Sequence, residues 1–247
     1  MQLAERQSTW SSSPASIEVV ASMSVDGAAI VPNYFKDPEC GIGVPYGKCY
    51  SIWAKKTSAT RKGVILEVGS IPMNADFCFK LGTGTSTMLD PGSYIIMEAY
   101  ATSYYIQQSN AWNDANWHCF HVNINSSQQL DLYKDGTLLK SGGSSLQLQS
   151  DVSSFNLKVG GSDNWDGRRN FAGLCTRVAV WNRALTASEI AEDYACKNVG
   201  AVASKDLIRF YGGRINGDGA LYNQVNPKDG HLLAPYGNST VVSTIIA

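Results

Sequence analysis

Apolar and polar residues alternate over short runs along most of the chain, and Gly, Asp, Asn or Ser closes each run. The clear cases are Tyr50/Ile52/Ala54, Val64/Leu66/Val68, Phe77/Phe79/Leu81, His118/Phe120/Val122/Ile124, Leu146/Leu148, Phe155/Leu157/Val159 and Thr176/Val178/Val180. A period of two sends successive side chains to opposite faces, so each run predicts a strand with one buried face. Many short strands with turn residues between them predict an all-β protein, an antiparallel β-sandwich of the jelly-roll type. Lys134-Asp135-Gly136-Thr137 lies between Leu130–Tyr133 and Leu138-Leu139, and its Asp-Gly pair supplies the positive φ angles of a tight hairpin. One short surface helix is signalled over Ala187–Cys196: Thr186 and Glu189 have capping-box spacing, and Leu185 and Ile190 are placed to staple its first turn. Residues 1–16, rich in Ser from Ser8 onward, read as a flexible arm, and 17–247 as one sandwich domain without internal repeats.

Composition narrows the function. The charged share is 17% against the ~25% typical of globular domains, and 20 basic against 21 acidic side chains leave a net charge of −1. No basic run could neutralise a row of phosphates, so nucleic acid is excluded as a partner. No segment has the roughly 20 apolar residues of a membrane span. No signal peptide is legible at the N-terminus, so localisation stays open, with an extracellular surface or a virion both compatible. Six cysteines show neither a C-x-x-C pair nor metal-ligand spacing, which favours reduced structural thiols, with Cys40 and Cys49 as the pair best placed for a bridge.

The stretch Phe171–Leu185, followed by Thr186-Ala187-Ser188-Glu189-Ile190, resembles the closing signature of laminin-G-like, concanavalin-like domains. Trp117-His118, Leu130–Gly136 and Leu157–Gly161 fall where that family has its Trp-His, Leu-Tyr-x-Asp-Gly and Ile-Gly elements, and Tyr50–Lys55 resembles its early strand. The resemblance covers about Tyr50 to Tyr194. Two departures stand out. Thr176 and Arg177 replace an acidic pair usual in the closing strand, and Leu207–Tyr211 resembles a strand the family often carries at its start, which suggests a rearranged strand order.

Glycoside hydrolases of this fold set two carboxylates on one strand, because alternate residues enter the same cleft. No Glu-x-Asp occurs here, and Asp37-Pro38-Glu39 reads as a loop, so no catalytic residue is assigned and the chain is expected not to be an enzyme. Tyr104, Tyr105, Trp112 and Trp165, with Arg168, lie in two polar segments, Ala101–Asn116 and Ser162–Asn170, and form the candidate ligand-binding set. Their rings could stack on sugars, cap the core or fill a protein interface. Asp163, Asn164 and Asp166 gather the oxygen ligands that calcium prefers, against the plainer reading of an Asp-Gly hairpin turn, and no other cofactor is implied. His118 and His121, three apart on a strand, should face opposite ways and so not share a metal. Asn125-Ser126-Ser127 and Asn238-Ser239-Thr240 match the N-glycosylation pattern, which matters only in a secreted chain.

The sequence therefore predicts a non-catalytic interaction module that binds a glycan or protein surface through sandwich-edge loops. The alternatives are a structural subunit of a larger assembly, such as a viral capsid or fibre, and, least supported, a glycoside hydrolase.

Overall fold

A computed structural model describes residues 18–25, 34–37, 47–57, 63–69, 77–83, 95–99, 104–108, 112, 114–142, 156–161, 170–196, 204–212, 218, 220–226, 231–236 and 239–246. The first strands in chain order are β1 (Glu18–Val25), β2 (Tyr34–Asp37), β3 (Lys48–Lys56), β4 (Gly63–Gly69), β5 (Phe77–Thr83), β6 (Ile95–Ala99) and β7 (Tyr104–Gln108). The middle holds β8 (Trp117–Ile124), β9 (Leu130–Lys134), β10 (Thr137–Ser141), β11 (Asn156–Val159), β12 (Gly173–Trp181) and helix α1 (Ala187–Cys196). After a 3₁₀ turn at Ser204–Asp206 come β13 (Leu207–Tyr211), β14 (Leu221–Tyr222), β15 (Leu232–Tyr236) and β16 (Thr240–Ile246).

They form two eight-stranded antiparallel sheets. One has the order β10-β9-β8-β3-β12-β1-β16, with β13 also on β12; the other runs β14-β15-β2-β11-β4-β5-β6-β7. β1 lies along the first half of β12 and β13 along the second, so two segments far apart in sequence share one flank of a central strand. Leu207–Tyr211, which resembles a strand the family often carries at its start, pairs here with the second half of β12.

The alternation read from the sequence explains the core. Tyr50, Ile52, Phe120, Val122, Leu132 and Val180 of the first sheet meet Phe35, Leu66, Val68, Phe79, Leu81 and Val159 of the second in one buried cluster. Full burial of a large apolar side chain contributes about 1.5–3 kcal/mol, so this layer dominates the stability of the sandwich. Tyr211 also ties the sheets together, its hydroxyl donating to the buried Asp37 at 2.5 Å. Asp37, read as part of a loop, instead ends strand β2 and faces this core.

The first sheet has a second buried side, because α1 covers it. Cys49, Tyr133, Ala179, Trp181, Leu185 and Ile190 pack there, while Trp53 and Cys119 meet Tyr194 of the helix. Strands β3, β8 and β12 are therefore buried on both faces. The helix begins as its sequence dictates: Thr186 N–H donates to Glu189 Oε2 at 2.8 Å, and Glu189 N–H donates to Thr186 Oγ1 at 3.3 Å. Arg183 clamps Glu189 and Asp206 with charge-assisted bonds of 2.5 and 2.7 Å.

Several expectations need correction. Thr176 does not share a face with Val178 and Val180: a bulge between Thr176 and Ala179, with Arg177 at φ 49°, switches the parity. Cys175 takes the core side, and Thr176 sits opposite Trp53. Cys49 is free and fully buried, so it forms no bridge with Cys40, which lies outside the described residues. The segment 101–116 is not loop throughout, since it contains β7, the outer strand of the second sheet. The run Leu146/Leu148 and the arm 1–16 lie outside the described residues. The Asp135-Gly136 turn forms as expected, with φ 52° and 76°. There, a side chain on Gly136 would also press on Ala191 and Tyr194 of α1.

Candidate functional site

Strand β8 enters the sheet at one edge of the sandwich, and the polar groups that precede it collect there. Trp112, one of the candidate ligand-binding rings, is fully buried, as the core-capping alternative has it. Its ring centroid lies 5.2 Å from that of Phe120, 5.9 Å from Phe171 and 5.6 Å from His118, whose ring meets it edge-on. Lys56 reaches over it, with Nζ 5.0 Å from the ring and donating to the Trp112 carbonyl at 2.5 Å. Burial lowers the Lys56 pKa, with Asp114 acting in the opposite direction. Trp112 is thus an anchor that fixes its loop to the core, and its faces are closed to a sugar.

Beyond this anchor the chain surfaces at Asp114, Ala115 and Asn116. Asp114 Oδ1 accepts from the Asn116 N–H at 2.9 Å and lies 2.8 Å from His118 Nε2. On the other side of the imidazole, Asp135 Oδ2 lies 2.6 Å from Nδ1, and Asp135 Oδ1 accepts from the Cys119 N–H at 3.0 Å. Slight burial pushes the Asp114 carboxyl up, but the Asn116 N–H and the His118 ring outweigh it and hold the pKa below the usual range. Lys134 Nζ stands 3.9 Å from Asp135. The result is a rim of carboxylate, amide, imidazole and ammonium groups held by two strands and a tight turn.

The other loop ends nearby. Asn170 bridges to Val64, and the next residue, Phe171, carries the ring that touches Trp112. Gly63 permits this approach, since a Cβ there would collide with the Asn170 and Phe171 backbone. The described ends of 101–116 and 162–170 therefore converge on one sandwich edge. Trp165 and Arg168, and the calcium candidates Asp163, Asn164 and Asp166, lie outside the described residues. Tyr104 and Tyr105 sit on β7, in register with Ala99 and Glu98.

His121 points away from His118, toward α1. Its Nε2 lies 2.9 Å from Asp193 Oδ2, and its Nδ1 lies 3.8 Å from Cys119 Sγ. All three residues are wholly buried. Burial pushes both the Cys119 and Cys49 thiols well above their ordinary range, and Asp193 adds to each shift. Next along β8, Asn123 bonds both backbone groups of Leu185, each at 2.9 Å. Sequence reasoning missed Asp193, although a carboxylate three residues after Ile190 occupies the apolar side of an amphipathic helix. It missed Lys56 and Asp135 because their roles depend on contacts across strands. Asn125 of the first glycosylation pattern spends its side-chain oxygen on the Ser127 and Gln129 N–H groups of a turn.

Two sheets packed face to face, with helix α1 on the outer side of one and polar groups gathered at an edge, define a lectin-type jelly roll. Residues 42–191, more than half of the chain, match a laminin-G-type family described as the concanavalin A-like lectin/glucanases superfamily, and the chain belongs to it. Solved structures agree on the fold. A Bacteroides ovatus protein thought to bind carbohydrate superposes with a TM-score of 0.60 at 14% identity, covering 95% of this chain and 62% of its own. The present chain therefore spans less than two thirds of that relative. A SAP-like pentraxin from Limulus polyphemus, a native heptamer, gives a TM-score of 0.55 at 12% identity, covering 93% of this chain and 95% of its own. The CBM40 of the Ruminococcus gnavus IT-sialidase gives 0.51 at 17%, covering 69% and 96%. No curated protein sequence matches. No helix among the described residues is long and apolar enough to cross a membrane.

Proposed function

We propose that the protein is a non-catalytic carbohydrate-binding module that captures a glycan at the edge where the two loops converge. The observation that supports this reading is the contact of the Trp112 and Phe171 rings, which joins the described end of each candidate segment near the Asp114–His118–Asp135 rim. Carboxylates and amides accept from and donate to sugar hydroxyls, while tryptophan and tyrosine supply flat apolar faces. Trp112 is spent on anchoring, so Trp165, Tyr104 and Tyr105 are the remaining aromatic candidates, with Arg168 as a further donor. The neighbours' association with carbohydrate supports the reading by analogy of fold.

The test is a glycan array followed by calorimetry of the best hits, with and without calcium. Asp114→Ala should weaken capture roughly 10- to 100-fold, the value of a hydrogen bond to a charged group, while leaving melting unchanged. Trp165→Ala should do the same if its ring is a platform. Calcium-dependent capture that Asp163→Ala and Asp166→Ala abolish would support a cation site at Asp163, Asn164 and Asp166. A chain that ignores every glycan but assembles in light scattering would instead be a structural subunit.

A further inference from the structure

The polar groups beneath α1 are not explained by packing. Cys119, His121 and Asp193 are wholly buried, and one ligand-capable atom from each lies within 4.8 Å of the others. Asp193 Oδ1 has no hydrogen-bond partner, and neither has the buried Ser51 Oγ, whose residue pairs with His121 across the strands. An unpartnered buried carboxylate oxygen costs more than an ordinary lost hydrogen bond, so the fold should compensate it.

Two occupants of other kinds fit poorly. The order of thiol, imidazole and carboxylate resembles a nucleophilic triad, but no member reaches solvent, so no substrate can meet the thiol. A disulfide is equally excluded, because Cys119 is free. A cation with mixed sulfur, nitrogen and oxygen ligands suits the donor set. Tetrahedral zinc holds sulfur at ~2.3 Å and nitrogen at ~2.0 Å, which puts these atoms roughly 3.6 Å apart. The observed Cys119 Sγ to His121 Nδ1 separation is 3.8 Å.

We propose that Cys119, His121 and Asp193 form a buried structural site for one zinc-class divalent cation, which pins helix α1 to the first sheet. Cys119 and His121 alternate on β8 and so present thiolate and the imidazole Nδ1 on one face, while Asp193, 2.9 Å from Nε2 on the other side of the ring, is the carboxylate that orients the imidazole. Ser51 and water supply the two remaining positions of the tetrahedron. The cation enters during folding, since the finished site is sealed, and it displaces the thiol proton to solvent as the metal–sulfur bond forms.

The experiment is to refold the full chain with cobalt(II) or zinc(II), remove free metal and count metal per chain. One equivalent of metal, with a near-ultraviolet thiolate-to-cobalt band, is expected. Cys119→Ser should abolish the band and Asp193→Asn should weaken retention by about tenfold or more. Cys175→Ser, which alters a core thiol remote from the cluster, should leave both unchanged. A wild-type chain that folds and retains no metal, or a cobalt band that survives Cys119→Ser, would overturn the proposal. Neither readout depends on glycan capture.

Discussion

His118 and His121 stand three residues apart on one strand, and the sheet assigns them opposite physical problems. His118 lies at a wet edge between two carboxylates, with 11% of its side chain exposed beside the half-exposed Asp114. His121 is sealed under α1, where it meets one carboxylate whose second oxygen is unpartnered. The same residue type therefore organises a surface on one side and fastens a helix on the other. Water decides the difference: at the edge it can replace a lost partner, whereas beneath the helix nothing can.

That contrast can be broken by mutation. His121→Ala should cost about 3–5 kcal/mol in urea unfolding, because it leaves the sealed Asp193 carboxyl without its partner. His118→Ala should cost less, about 1–3 kcal/mol, since Asp114 and Asp135 can turn to solvent and the main loss is the packing of the ring on Trp112. Equal losses would mean that both sites are structural. Trp112→Ala should fall near the large end, about 3–5 kcal/mol, as expected of a core aromatic rather than a binding ring. Thr186→Ala should cost about 1 kcal/mol through loss of the helix cap.

The smallest effect sharpens the picture of the helix start. The Arg183 side chain and the Thr186 N–H hold the Glu189 carboxyl down at about 2, against an ordinary value of 4.5. A carboxyl depressed by folding stabilises the protein above its unfolded pKa, and that contribution disappears as pH falls from about 4.5 through 2. Because the group lies near the surface, screening limits the contribution to no more than about 1 kcal/mol. Acid titration of stability should be flatter in Glu189→Gln than in the wild-type chain.

The fold was legible because local rules and tertiary structure agreed. Alternation marked β3, β4, β5 and β8, Asp135-Gly136 marked the hairpin, and Thr186 with Glu189 marked α1 to the residue. Failures came where a rule was broken locally or where partners were distant. A single residue at positive φ, Arg177, reversed the facing of Thr176, and no composition rule announces such a bulge. Trp112 sat in a polar segment, yet Phe120 of the next strand and the distant Lys56 and Phe171 close around it. Asp135 was legible as a turn residue, but its service to His118 was not, because pairing of β8 with β9 creates it.

The shared flank of β12 has a kinetic consequence. β1 reaches β12 only from the beginning of the chain, and β16 then completes the sheet by pairing Glu18 with Ile246. Closing so long a loop carries a large entropic cost before any contact rewards it, which slows folding. By contrast, β8, β9 and β10 pair through short connections and can form early. The first sheet should therefore assemble from its hairpin side toward β12 and zip shut at β1 and β16, leaving that margin the last to become protected from hydrogen exchange during refolding.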